Sequence, residues 1–219
     1  MLVLEFPAGL LAANCYVLAP EPGGPCVIVD PGQEATAGVS DLVERNQLTP
    51  AGILLTHGHF DHVWSADELS TKYGVDVYIH SADRHLLHDP THGLTPEFAQ
   101  QLSMLTGGAT LPTPQRLVEL DERERLELAD LSIGVEHVPG HTAGSVQYVF
   151  PGYLCTGDLL FSGSIGRTDM PGGEHAAILD SLARVLTTHG DDTAVLPGHG
   201  PRTTVGQERR GNPFLTELS

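Results

Sequence analysis

Positive charge is scarce in this sequence. Lys72 is its single lysine, and 11 Lys and Arg stand against 28 Asp and Glu, for a formal net charge of −17. Nucleic-acid phosphates and anionic membrane surfaces would both be repelled, so neither is an expected partner. Cysteine is scarce as well. Cys15, Cys26 and Cys155 lie far apart with no CxxC pair, which reads as core thiols in a reducing, cytoplasmic compartment. No apolar run is long enough to span a bilayer. The opening MLVLEFPAGLLAANC lacks a basic start, is interrupted by Glu5 and is broken by Pro7 and Gly9, so it does not read as an export signal.

What is present is an ordinary globular composition. A length of 219 residues with 40% hydrophobic content fits one domain over 1–219. Short apolar runs bounded by Gly and Pro recur: LVLEF, CYVLA, CVIVD, GILLT and VDVYIH, then RLVEL, LELA, LSIGVEHV, SVQYVF, YLCTG and TAVLP. Their length and β-branched content predict strands. SDLVERNQL and SADELSTKYG have helical spacing, and HAAILDSLARVLTTH carries Ile178, Leu182, Val185 and Leu186 on one stripe. Strands outnumber helices in both halves, which points to two packed sheets with helices outside. Residues 90–115, with Pro, Gly and the amphipathic piece PEFAQQLSML, read as an insertion or lid.

The densest chemistry lies in LLTHGHFDHVWS, where His57, His59, Asp61 and His62 fall within six positions. His57 and His59, two apart in an extended turn, point the same way. Asp61 and His62 would open the following helix, where the dipole favours the aspartate. Three more groups sit at breaks after predicted strands: His141 in PGHTAGS, Asp158 in TGD and His199 in LPGHG. Zinc takes about four ligands, and a catalytic zinc keeps one place for water. These seven side chains, with one carboxylate shared and a shared water, would fill two such ions. The isolated Asp158 suits the shared role. His and Asp donors accept zinc first, with iron or manganese as alternatives.

Other candidates have plainer readings. His137, His175 and His189 are taken as structural or exposed, and His80, His85, His88 and His92 as a solvated helix and loop. Asp30 in VDPG reads as a strand-end turn, lying behind the ligands if it is near them. Tyr16, Trp64 and the cysteines read as core.

THGHFDH, PGHTAGS, TGD and PGHG, in that order, resemble the metallo-β-lactamase superfamily over nearly the whole chain. The resemblance implies an αββα four-layer sandwich with a binuclear site at one edge. His57, His59 and His141 would hold one metal. Asp61, His62 and His199 would hold the other, with Asp158 bridging. FSGSIGRTDMPGG and GHGPRTTVGQERRGNPFL are most similar to short glyoxalase II-like (hydroxyacylglutathione hydrolase-like) proteins. Longer members carry a C-terminal glutathione-binding domain, which is not expected here. They also carry tyrosines where Asp169 and Pro201 stand, so the thiol carrier is left open. Arg167 keeps their basic charge and is the candidate for a substrate carboxylate, with a surface ion pair as the alternative.

The expected function is hydrolysis of a small-molecule thioester. Asp61 would orient the attacking water or take its proton, and Asp158 would bridge. Persulfide dioxygenases share a GRTD run like Gly166–Asp169. That alternative implies one iron held by His57 or His59, His141 and Asp158. A lactonase has no feature selecting it, and a non-catalytic metal-binding module would show a degraded ligand.

Overall fold

The computed structural model describes residues 1–106, 108, 110–121 and 125–215. The N-terminal half forms a six-stranded sheet of β1 (Leu2–Ala8), β2 (Ala13–Ala19), β3 (Pro25–Val29), β4 (Thr49–Leu54), β5 (Asp76–His80) and β6 (Leu117–Leu120), in that spatial order. The first three strands pair antiparallel and β3 to β6 pair parallel. Parallel neighbours need long crossovers. Those crossovers carry α1 (Ala35–Arg45), α2 (Phe60–Val63), α3 (Ala66–Tyr73), α4 (Arg84–His88) and α5 (Pro96–Thr106).

The second sheet is built from β7 (Arg125–Leu128), β8 (Leu131–His137), β9 (Val146–Phe150) and β10 (Tyr153–Gly157). After a two-residue hairpin, β11 (Leu160–Phe161) and β12 (Ser164–Ile165), come α6 (His175–Thr188), β13 (Ala194–Pro197), β14 (Thr203–Thr204) and α7 (Val205–Gly211). The sheet order is β14-β13-β10-β9-β8-β7, with β10 and β13 parallel.

Several strands are buried at nearly every position because both faces are covered. In β2, Tyr16 and Leu18 face the second sheet and pack with Ile133, Tyr148, Cys155 and Leu196. Cys15, Val17 and Ala19 face the other way, against Val39 and Val43 of α1 and Leu69 of α3. On the far side of the second sheet, Ile178, Leu182 and Val185 of α6 cover Leu154 and Val195. Each such side chain contributes about 1.5–3 kcal/mol by leaving water. The order helix, sheet, sheet, helix is the expected αββα sandwich.

Helix α1 starts earlier than SDLVERNQL suggests. Its first amide, on Ala35, donates to Ser65 Oγ at 3.1 Å, and that hydroxyl donates to the Gly32 carbonyl at 2.7 Å. The cap therefore comes from a residue thirty positions away, out of reach of local pattern reading. PEFAQQLSML is helical, as α5. The C-terminal TTVGQERRG forms β14 and α7, capped by Thr204 Oγ1 accepting from the Gln207 amide at 3.2 Å. Among the described residues no helix is long and apolar enough to cross a membrane.

Candidate metal centre

Strand ends deliver the polar residues to one edge of the sandwich. Asp30 follows β3, the His57–His62 segment follows β4, His141 lies between β8 and β9, Asp158 follows β10 and His199 follows β13. The hydrogen bonds behind these side chains determine which ring nitrogens are left bare. Thr56 donates to Asp30 through both its amide (2.8 Å) and its hydroxyl (2.6 Å). With its proton committed, the Thr56 oxygen accepts from His57 Nδ1 at 3.0 Å. His57 Nε2 is then a bare lone pair, buried and without a hydrogen-bond partner among the described residues.

The same Asp30 Oδ2 takes the Nδ1 proton of His62 at 3.0 Å. His62 Nε2 turns inward, 3.4 Å from Asp158 Oδ1, 3.6 Å from Asp61 Oδ2 and 3.3 Å from His199 Nε2. His141 donates Nδ1 to the Arg167 carbonyl at 2.8 Å, so its Nε2 faces His59 Nδ1 at 2.8 Å and Asp158 Oδ2 at 3.5 Å. His199 Nε2 lies 3.2 Å from Asp61 Oδ2 and 3.6 Å from Asp158 Oδ2.

All seven side chains singled out from the sequence as ligands therefore meet. Two triads, His57–His59–His141 and Asp61–His62–His199, each hold their donor atoms within 4.8 Å of one another, and Asp158 reaches into both. Asp30, His57 and His62 satisfy the same criterion. Asp30, however, meets Nδ1 of His62 and is filled by Thr56, so it braces the rings from behind.

The electrostatics split the centre into two halves. Burial, then the neighbouring imidazoles, push His57 far below its ordinary range and His59 down to about 3, so both stay neutral with lone pairs available. Burial opposes the charged form of His62 too, but Asp61, Asp158 and Asp30 overcome it and hold the ring up to about 10. Burial likewise opposes ionised Asp61, yet His62 and His199 hold its carboxyl below the usual range. Bare imidazole nitrogens, carboxylates that demand positive charge and a buried Asp158 Oδ1 without a hydrogen bond are what divalent cations satisfy. The residues present fit such ions.

Three supporting side chains, Asp83, Asn14 and Tyr16, were not legible in this role from the sequence. Asp83, buried ahead of α4, accepts from the Gly58 amide (2.9 Å), the Gly144 amide (2.7 Å) and Thr142 Oγ1 (2.7 Å), tying the His57–His59 loop to the His141 loop. Asn14 donates to the Pro197 and Gly200 carbonyls at 3.0 and 2.8 Å, and Tyr16 donates to Pro197 at 2.7 Å, holding the His199 turn. Gly198 must be glycine, because a Cβ there would stand 2.1 Å from Asp158 Oδ1.

His80 and His137 stack at 4.3 Å, and His137 Nε2 donates to the Ala143 carbonyl at 2.8 Å, a structural placement. His189 lies 3.1 Å from Glu136. Trp64 packs against the α1–α3 layer, and the three cysteines are buried. Above the centre opens a cleft of about 390 Å³, with His59, Asp61, His141, Asp158 and His199 on its floor. Arg167 lines it, but its guanidinium is engaged with Asp169 through Nε (2.7 Å) and a terminal nitrogen (2.8 Å).

A family model of the metallo-β-lactamase superfamily matches residues 8–199, and that span contains every donor described above. The chain belongs to this superfamily. It is 35% identical to a hydroxyacylglutathione hydrolase of Haemophilus influenzae over 216 residues, covering 97% of each chain. Among solved structures it is similar to the BLEG-1 B3 metallo-β-lactamase, with a TM-score of 0.85 and 39% identity, covering 98% of this chain and 100% of that one. A second crystal structure, of a protein in a di-iron-bound form, superposes with a TM-score of 0.79 at 36% identity over 98% and 100% of the two chains. Membership makes this a chain of the metallo-hydrolase type and agrees with a centre for divalent metal.

Proposed function

We propose that this protein is a binuclear metal-dependent hydrolase of small thioesters. The observation that carries the reading is the completeness of the centre: both triads are assembled, and Asp158 lies against His62, His141 and His199 at once. His57, His59 and His141 would hold one divalent ion, Asp61, His62 and His199 the other, and Asp158 would be shared. Ions bound there would supply Lewis-acid polarisation and a water acidic enough to ionise near neutral pH.

The chain's own residues account for the rest. Asp61 faces the cleft floor and would orient the attacking water and receive its proton. Asp30, through Thr56 and His62, and the Arg167 carbonyl, through His141, fix the rings so that their lone pairs face inward. Water adds to the acyl carbon, the carbon–sulfur bond breaks, and a carboxylate and a thiol leave. Apart from the candidate ligands, the cleft is lined by apolar side chains and Arg167, with no Lys, Tyr, Ser or Cys among the described residues. A departing amine would need a proton donor there. A thiol, with a pKa near ~8.5, can leave as thiolate without one. That favours a thioester over a β-lactam. The named activity of the Haemophilus relative, aligned along nearly its full length, supports the same choice.

The test is metal per chain, by elemental analysis of protein grown with iron and zinc supplied, followed by turnover of a thioester panel. Two ions per chain with thioester hydrolysis are expected. One iron, no hydrolysis and oxygen uptake with a thiol persulfide would replace this reading with a mononuclear iron dioxygenase.

A further inference from the structure

The cleft walls come from separate parts of the chain, and each contributes an apolar side chain. Leu11 stands at the tip of the β1–β2 turn, Leu94 and Phe98 come from the segment that opens α5, Phe161 and Ile165 from the β11–β12 hairpin, and Met170 from the loop after Arg167. Two of these elements are held in place from behind. Gly93 lies so close to the His59 ring that a Cβ would stand 2.8 Å from its Cδ2, which seats Leu94 beside the centre. Glu208 of α7 accepts from the Gly163 amide at 2.8 Å, and Asn212 donates to the Ser164 carbonyl at 3.0 Å, which fixes the hairpin carrying Phe161 and Ile165. The apolar surface is therefore built.

Among the described residues the single cationic side chain on the wall is Arg167, and Asp169 already engages it at two nitrogens from the same loop. An incoming carboxylate would have to displace a partner two residues away, which is always at high local concentration. The chain as a whole carries a formal charge of −17, so its long-range field does not draw anions toward the cleft. At about 390 Å³ the cleft lies near the lower end of ligand pockets, which run from roughly 300 to 1,000 Å³.

We infer that the preferred substrate carries an uncharged, apolar group beside its scissile bond, and that Arg167 supplies no counter-charge to it. The inference deepens the thioester reading and rests on it only for the identity of the bond that breaks. Neutral acyl thioesters of a short thiol are the matching class. Thioesters with a terminal carboxylate on the acyl arm are selected against.

The experiment uses the metal-loaded full chain and N-acetylcysteamine thioesters from acetyl to pentanoyl, with the succinyl thioester as the charged counterpart. Each added methylene is expected to raise kcat/KM by roughly fourfold, the worth of a buried CH₂. The succinyl compound is expected at or below the acetyl one. Asp169→Asn, which releases Arg167, is expected to raise the succinyl-to-pentanoyl ratio by about fivefold, the upper range for an exposed ion pair. A flat or falling series, or a preference for succinyl over pentanoyl, overturns the inference.

Calorimetric titration with butanethiol and its near-isostere 3-mercaptopropionate reads the cleft without turnover. Tighter butanethiol supports an apolar cleft even if no thioester is hydrolysed, in which case the thioester reading alone falls. Equal or tighter 3-mercaptopropionate sinks the inference even if hydrolysis is observed.

Discussion

Asp83 offers the sharpest test of how the centre is held. Its carboxylate bonds to three donors on two loops, Gly58 on one side and Thr142 and Gly144 on the other. Asp83→Ala removes all three acceptor contacts. Thr142 Oγ1 can turn to Ser145 Oγ, 2.7 Å away, so its loss is small. The two glycines are buried, and their amides have no other partner among the described residues. A stranded buried donor costs about 1–3 kcal/mol, so two give about 2–6 kcal/mol, and partial access of water argues for the lower half, about 3 kcal/mol. For a chain of this size that lowers Tm by about 6–12 °C. Asp83→Asn keeps one carbonyl oxygen, which can serve Gly58 and Thr142, and presents an amide only to Gly144. About half the loss follows.

The metal readout separates a local brace from general instability. The His57–His59–His141 triad spans both loops that Asp83 joins, whereas Asp61 and His62 share only the first of them and His199 lies on neither. Equilibrium dialysis of the folded variant below its transition should show one of two ions weakened and the other retained. Calorimetric unfolding within about 0.5 kcal/mol of the parent, with both ions kept, would refute the reasoning, because that is the scatter of surface substitutions.

Gly198→Ala should leave the far-ultraviolet circular dichroism intact but lower bound metal by at least one ion per chain, since its Cβ would occupy the space of Asp158 Oδ1; full occupancy by elemental analysis would contradict this. Asn14→Ala frees the Pro197 and Gly200 carbonyls and should loosen the His199 turn, lowering Tm by about 2–4 °C for about 1 kcal/mol of lost bonding. An unchanged Tm in scanning calorimetry counts against that brace. Burial raises the Cys15, Cys26 and Cys155 thiols, with Cys26 pushed up to about 12. A thiol reagent at pH 8 should therefore label none of the three in the native protein and all three after unfolding; rapid native labelling would show that the buried thiols are accessible.

Whether a feature could be read from the sequence depended on how far away its partner lay. The His57–His62 run is legible because its ligand types are crowded into one turn, and His141, Asp158 and His199 because each follows a strand and is flanked by glycine. The stripe Ile178, Leu182, Val185 and Leu186 is legible because a helix repeats its buried face locally. Asp83 is not, since the partners it adds to Gly58 lie 59 and 61 residues downstream. Asn14 acts across 183 and 186 residues. Nothing in ANCY or HSADR distinguishes these two from ordinary turn and cap residues. Arg167 shows the opposite difficulty. Its charge is plain, and its partner is two residues away, but only geometry shows that the pair closes on itself.

Asp30 joins these levels. It sits in a left-handed turn (φ 49°) at the end of β3, a conformation tolerated by Asp more readily than by most residues. From there one carboxylate receives the amide and hydroxyl of Thr56 and the Nδ1 proton of His62. Through the Thr56 oxygen it also sets the proton position on His57. One residue thus orients a ring in each triad and leaves Nε2 of both directed toward the centre. Rings held this way cannot rotate to find other partners, so the His57 Nε2 lone pair remains buried without a hydrogen bond among the described residues, and the surrounding core must offset that cost. A sandwich covered on both faces of both sheets provides the rigidity. The function proposed for the edge of the sandwich therefore depends on why β2, β3 and β4 are largely buried on both faces: strands packed on two sides hold their ends still enough for ring nitrogens to be directed at one point.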